Sequence, residues 1–189
     1  MVVHGMGGAG KSTLASALLR SDEVQAAFEG GLCWVSVGQM PDLQLLLGSL
    51  VAQLSPSCAP SQVTSVAALS ERLEAAAEEA AAEGRRLLCV LDDVWEAEHA
   101  QVLGKPLKAA TLVVTARIRR VIPAAFELHC SIMEGDEAME LLLQAGGVAK
   151  VEQGSHAQRV AKQAVELCGR SPLALAALTR LCAAAGSCL

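Results

Sequence analysis

Eight consecutive residues near the start of the chain, Gly5-Met6-Gly7-Gly8-Ala9-Gly10-Lys11-Ser12, carry what a phosphate group needs from a protein. Glycines let successive backbone N–H groups turn inward without Cβ clashes, which makes a concave anion site. A helix starting near Lys11 would aim its positive end at the same point. Lys11 brings a full charge that reaches β- and γ-phosphates, the Ser12 hydroxyl can ligate Mg²⁺, and Thr13 adds a second hydroxyl close by. The spacing is that of a P-loop, GxxxxGK[ST]. The alternative is a glycine-rich turn with a chance Lys-Ser. The short apolar segment Met1–His4 in front and the helical spacing behind favour the P-loop.

A second group lies some eighty residues on, in Leu87-Leu88-Cys89-Val90-Leu91-Asp92-Asp93. Five apolar residues without alternation predict a strand buried on both faces, and a parallel sheet binds ligands at the C-terminal ends of its strands. Asp92 is placed to hold Mg²⁺ through water opposite Ser12, and Asp93 to polarise an attacking water as general base. Two loop aspartates capping the next helix are the alternative. A third group, Leu112-Val113-Val114-Thr115-Ala116-Arg117, is another apolar strand with polar residues at its end. If that strand lies between the P-loop strand and the acidic strand, Arg117 can touch a γ-phosphate. Otherwise it is a solvated arginine beside Arg119 and Arg120.

The elements needed to position these groups are legible along the chain. Strands are predicted over Met1–His4, Leu32–Val37, Leu87–Leu91, Thr111–Thr115 and, more weakly, Phe126–Cys130. Helices are predicted over Lys11–Arg20 and Pro41–Leu54, the latter ended by Ser55-Pro56. A long Ala/Glu helix spans Val63–Glu83, with a stripe of Leu69, Leu73, Ala76 and Ala80 and its glutamates toward water. Beyond Glu134 the pattern is all helical: Glu134–Ala145, Ser155–Cys168, and a third helix with Ser171 as N-cap and Pro172 at its first position. The predicted architecture is α/β. Residues 1–132 form a P-loop nucleotide-binding domain with a five-stranded parallel sheet flanked by helices, and residues 133–189 a small helical subdomain.

Composition narrows the function classes. The chain has 189 residues, 52% hydrophobic and 19% charged, with 34 alanines, two Phe, two Trp and no Tyr. That excludes a disordered chain and requires a core of Leu, Val and Ala. A net charge of −5 argues against a nucleic-acid partner, and no apolar run is long enough for membrane insertion. The N-terminus has no secretory signal pattern. Seven cysteines without close pairing read as small buried thiols in a reducing cytoplasm, not as zinc ligands.

Taken together and in order, the motifs resemble the NB-ARC domain of the STAND class of P-loop ATPases, found in plant disease-resistance proteins and apoptotic scaffolds. GMGGAGKSTL (Gly5–Leu14) is similar to that family's P-loop phrase and FEGGLCWVSVGQ (Phe28–Gln39) to its second-strand motif. LLCVLDDVW (Leu87–Trp95) is similar to its acidic strand, LVVTARIRRV (Leu112–Val121) to its sensor strand, and CGRSPLAL (Cys168–Leu175) to its GLPLAL box. Ala116 stands where the family has a second threonine, and Arg170-Ser171 replace its Gly-Leu. The resemblance implies that Pro172 contacts adenine or ribose, and that exchange of ADP for ATP opens a molecular switch acting in signal transduction and defence. It also implies that the winged-helix and repeat domains of the family are absent, leaving a truncated core. The expected activity is ADP/ATP binding with Mg²⁺ and at most slow hydrolysis, with Lys11, Asp93 and Arg117 as the residues that carry it. Alternatives are a truncated decoy that docks on a full-length relative or self-associates, and a turnover P-loop ATPase or kinase.

Overall fold

The alternating pattern resolves, in the computed structural model, into five strands and eight α-helices among the described residues, 1–54 and 65–184. The chain divides into two compact units. The first comprises Met1–Gly5 and Lys11–His129, and the second Met6–Gly10 with the residues from Cys130 onward.

In the first unit, strands β1 (Val2–His4), β2 (Gly31–Gly38), β3 (Leu87–Val94), β4 (Thr111–Ala116) and β5 (Glu127–His129) form one all-parallel sheet in the order β2-β3-β4-β1-β5. The helices are α1 (Lys11–Arg20), α2 (Asp22–Ala27), α3 (Leu43–Leu54), α4 (Val66–Ala82) and α5 (Ala97–Gly104), the last followed by a 3₁₀ turn at Lys105–Leu107. β3 is buried everywhere except Asp93, as a central parallel strand must be. Leu47, Leu50 and Val51 of α3, Leu69 and Leu73 of α4 and Leu103 of α5 pack into one core with Cys33, Val35, Cys89, Leu91 and Val114 of the sheet. Truncating a fully buried leucine such as Leu73 to alanine would cost about 2–5 kcal/mol. Cys33 and Cys89 face each other in register on β2 and β3. The hydrogen bond to Cys33 and burial push the Cys89 thiol far up, so that sulphur packs as a small neutral group.

In the second unit, α6 (Gly135–Ala145), α7 (His156–Leu167) and α8 (Pro172–Ala184) close around Ala138, Leu142, Ala161, Val165 and Leu175. Glu134 and Glu137 form a capping box at the start of α6, and the Ser155 hydroxyl accepts from Gln158 N at 3.1 Å to cap α7.

Several boundaries differ from the sequence reading for local reasons. The helix expected from Pro41 begins at Leu43, because the Asp42 carboxylate accepts from Leu45 N at 3.0 Å and acts as its cap. In α4 the buried alanine is Ala77, not Ala76, since the stripe drifts with the 3.6-residue period. β3 does not stop at Leu91 but runs through both aspartates to Val94. Helices α2 and α5 lie in segments to which the sequence reading assigned no element. Positions 63 and 64 of the Ala/Glu helix, the Ser55-Pro56 stop, Cys58 and Cys188 lie outside the described residues. The cysteines 33, 89, 130, 168 and 182 are free thiols.

Candidate functional site

The strand order decides which groups can meet. β4 pairs with β1 on one side, with Val3 opposite Thr115, and with β3 on the other, with Leu91 opposite Val114. The acidic strand and the strand entering the glycine loop are thus both neighbours of β4, and their C-terminal ends share one edge of the sheet. Gly5 N donates to Ala116 O at 3.3 Å, which ties the start of the glycine loop to that edge.

Between Leu91 and Val94 the β3–β4 register shifts, and Asp93 takes a left-handed conformation with φ 55°. Such a bulge lets two adjacent acids leave one strand in different directions. Asp92 points into the sheet edge and is 7% exposed. Its Oδ1 accepts from Thr115 Oγ1 at 2.6 Å, and the same Thr115 oxygen accepts from Asp93 N at 2.8 Å. The Asp93 carboxylate is half exposed. Its Oδ2 accepts from Trp95 Nε1 at 3.1 Å, and its Oδ1 lies 4.0 Å from Arg117 Nε. The Arg117 guanidinium sits 4.1 Å from the centroid of the Trp95 ring. Asp92, Asp93, Thr115 and Arg117 are thus one connected cluster, joined by Trp95.

On α1, Lys11 is buried and its ammonium donates to Gly5 O at 2.9 Å. Ser12 and Thr13, in the first turn, are exposed. No hydrogen bond joins Ser12 or Thr13 to the acidic cluster.

The middle of the glycine loop belongs to the second unit. Gly8 and Gly10 have φ of +79° and +95°, which side chains rarely adopt. A Cβ on Gly8 would meet Ser171 Oγ at 2.9 Å, and one on Gly10 would meet the Pro172 ring at 4.0 Å. Gly8 O accepts from Ser171 Oγ at 3.3 Å and from Leu173 N at 3.4 Å. Cys130 Sγ donates to Ala9 O at 3.3 Å, and Ala9 N donates to Met6 O at 3.4 Å. Ser171 was expected to cap α8 with its side chain. Its hydroxyl instead donates to Gly8 O, and the same carbonyl satisfies a first-turn N–H of α8. Gly7 is exposed in this loop.

The sequence reading gave no place in the site to the Thr115 hydroxyl, Trp95 or Ser171. A lone threonine ending an otherwise apolar strand was the signal available for the first.

The donor chemistry suits nucleotide phosphates with Mg²⁺. The positive φ of Gly8 and Gly10 suits a loop that would turn backbone N–H groups toward an anion. One hydroxyl at Ser12 and one carboxylate at Asp92 are hard oxygen donors. Among the described residues, one Asp92 oxygen, Oδ1, accepts a hydrogen bond, from Thr115. Among the described residues no three of His, Cys, Asp and Glu gather as a full metal cage. Mg²⁺ needs none, since it keeps several waters and phosphate oxygens around one or two protein ligands.

An all-parallel sheet with a glycine loop between β1 and α1, and acids on a strand two positions away, defines a P-loop NTPase fold. The family model of the NB-ARC domain matches residues 1–152, and the chain belongs to that family. Over 178 residues it is 26% identical to the disease resistance protein ADR1 of Arabidopsis thaliana, covering 93% of this chain and 19% of that protein. It is 30% identical over 178 residues to the regulatory protein AfsR of Streptomyces coelicolor, covering 90% of this chain and 17% of AfsR. The chain spans about a fifth of the length of the curated relatives it matches. In fold it is similar to the Aeropyrum pernix ORC2 protein, solved as ADPNP-ADP complexes, with a TM-score of 0.64 at 19% identity over 99% of this chain and 58% of that one.

Proposed function

We propose that this chain is the ADP/ATP-binding switch module of a signalling NTPase of the disease-resistance type. The observation that carries the reading is the insertion of β4 between β1 and β3, which brings the end of the glycine-loop strand, Asp92 and Arg117 to one sheet edge. The names of the ORC2 complexes and of the disease resistance relatives support it.

In this reading Gly5, Met6, Gly7, Gly8, Ala9 and Gly10 wrap the phosphates with backbone N–H groups. Lys11 gives up its hold on Gly5 O to reach the β- and γ-phosphates, and Ser12 and Thr13 add hydroxyl contacts. Ser12 and Asp92 hold Mg²⁺, which would neutralise charge building up on the phosphate oxygens. Pro172 packs against the adenosine. Arg117 leaves Trp95 and Asp93 for the γ-phosphate, so ATP and ADP leave the cluster in different arrangements. Asp93 orients the attacking water for a slow hydrolysis. Switching, hydrolysis, self-association and docking on a longer relative all belong to this proposal.

A cytoplasmic setting fits the free thiols. Among the described residues, no helix is long and apolar enough to cross a membrane.

Two measurements test the reading: identification of any nucleotide extracted from the purified protein, and its melting temperature with ADP and MgCl₂. At a hundredfold excess over Kd, ADP should add about 2.7 kcal/mol, which for a domain of this size raises Tm by roughly 5–10 °C. An unchanged Tm at millimolar ADP refutes it.

A further inference from the structure

We propose that Thr115 is the positioning residue for the magnesium-binding carboxylate, setting the orientation of Asp92 and the bulge at Asp93 with a single hydroxyl. This rests on the nucleotide-binding reading above and deepens it.

Thr115 is fully buried at the penultimate position of β4. Its Oγ1 spends its one proton on Asp92 Oδ1 at 2.6 Å, a length typical of a hydroxyl bonded to an ionised carboxylate. Its lone pair takes the Asp93 N–H at 2.8 Å. That N–H lies in the β3–β4 register shift, where the regular ladder supplies no partner. The β-branched side chain has few rotamers in a strand, so the hydroxyl direction is fixed by the backbone of β4. One Asp92 oxygen is thereby anchored, and the other is left for a ligand. Without the hydroxyl, Asp92 would be free to turn, and Asp93 N would lose its partner. The backbone turn that separates the two acids would then lose its support.

Residues that orient a metal ligand without touching the metal change metal affinity by about 10–100-fold when removed. The effect should fall on the gain in ADP affinity that magnesium brings, because phosphate binding by the glycine loop and Lys11 does not pass through Thr115. The test is calorimetric titration of ADP into the 189-residue chain, in excess EDTA and in MgCl₂. It is run on the unaltered protein, Thr115→Val and Thr115→Ser. Thr115→Val keeps the shape and loses the hydroxyl. It should keep its ADP affinity in EDTA and lose 10–100-fold of the magnesium gain. Thr115→Ser restores the hydroxyl and should recover most of that gain.

A full magnesium gain in Thr115→Val overturns the proposal. So does an equal loss of ADP affinity with and without magnesium, which would mark Thr115 as a residue of the fold alone. If the valine variant does not fold, Thr115→Cys replaces it. Its thiol is a weaker donor of similar shape, and a full magnesium gain there is equally fatal. Failure of the unaltered chain to bind ADP at all would instead bring down the nucleotide reading itself, and this inference with it.

Discussion

Replacing Arg117 with alanine tests the proposed switch most directly, because the partners that Arg117 would exchange for a γ-phosphate are defined. Its guanidinium lies over Trp95 at 4.1 Å from the ring centroid and 4.0 Å from the Asp93 carboxylate. Both partners are roughly half exposed, so water screens the ion pair and leaves it worth well under 1 kcal/mol. A surface cation–π contact adds about 0.5–1 kcal/mol. Reaching a γ-phosphate therefore costs Arg117 about 1 kcal/mol. Charge-assisted hydrogen bonds to that phosphate return about 1.5–3 kcal/mol. The difference, about 0.5–2 kcal/mol, is what Arg117→Ala removes from ATP binding, roughly a two- to thirtyfold rise in Kd. ADP offers no γ-phosphate and should bind as before. Calorimetric titration of both nucleotides at fixed MgCl₂ measures the two losses. Trp34→Phe leaves Trp95 as the sole indole in the chain. Its emission should then shift on ATP binding and not on ADP binding. Equal losses for ATP and ADP, or an indole blind to which nucleotide is present, would refute the reasoning and leave Arg117 a surface residue.

Three further outcomes are expected. Lys11→Met keeps the aliphatic stem of a buried side chain while removing the ammonium, and should abolish the ADP-induced rise in Tm with a cooperative melt retained. Asp92→Ala should weaken ADP binding in magnesium and leave it unchanged in EDTA. Asp93→Ala should spare ADP affinity in both and slow any phosphate release, a separation read by calorimetry and a phosphate assay. Gly8→Ala forces a Cβ to within 2.9 Å of Ser171 Oγ at φ +79° and should destabilise the protein by about 1–2 kcal/mol, seen as a lower midpoint in urea.

Much of the fold could be read from residues whose meaning is local. The apolar run Leu87–Leu91 reads as a buried strand and is one, and the glycines before Lys11 read as a tight loop between a strand and a helix, which they form. The position of Arg117 was readable only as a condition, that its strand insert between the other two, and the sheet order β3-β4-β1 meets it. What escaped the reading depends on partners far along the chain. Thr115 meets Asp92 across 23 positions, and Ser171 meets Gly8 across 163. Ser171 shows the physical reason. Its type and its place before a proline signal a helix cap, and nothing nearby in sequence announces a distant loop carbonyl that takes the hydroxyl proton.

The two aspartates show how far adjacency in sequence can mislead about adjacency in chemistry. In sequence they are two carboxylates at one strand end, read as Asp92 for Mg²⁺ and Asp93 for an attacking water. A strand, however, sends neighbouring side chains to opposite faces, and the register shift with a left-handed Asp93 re-aims the second acid. Asp92 ends up buried against a threonine hydroxyl, in surroundings that can fix a carboxylate for a cation. Asp93 ends up half exposed between an indole N–H and a guanidinium, in contact with the residue that would discriminate ATP from ADP. The proposed division of labour between the acids would thus follow from strand geometry. It is why removal of each should be felt in a different measurement: magnesium dependence for Asp92, and phosphate release for Asp93.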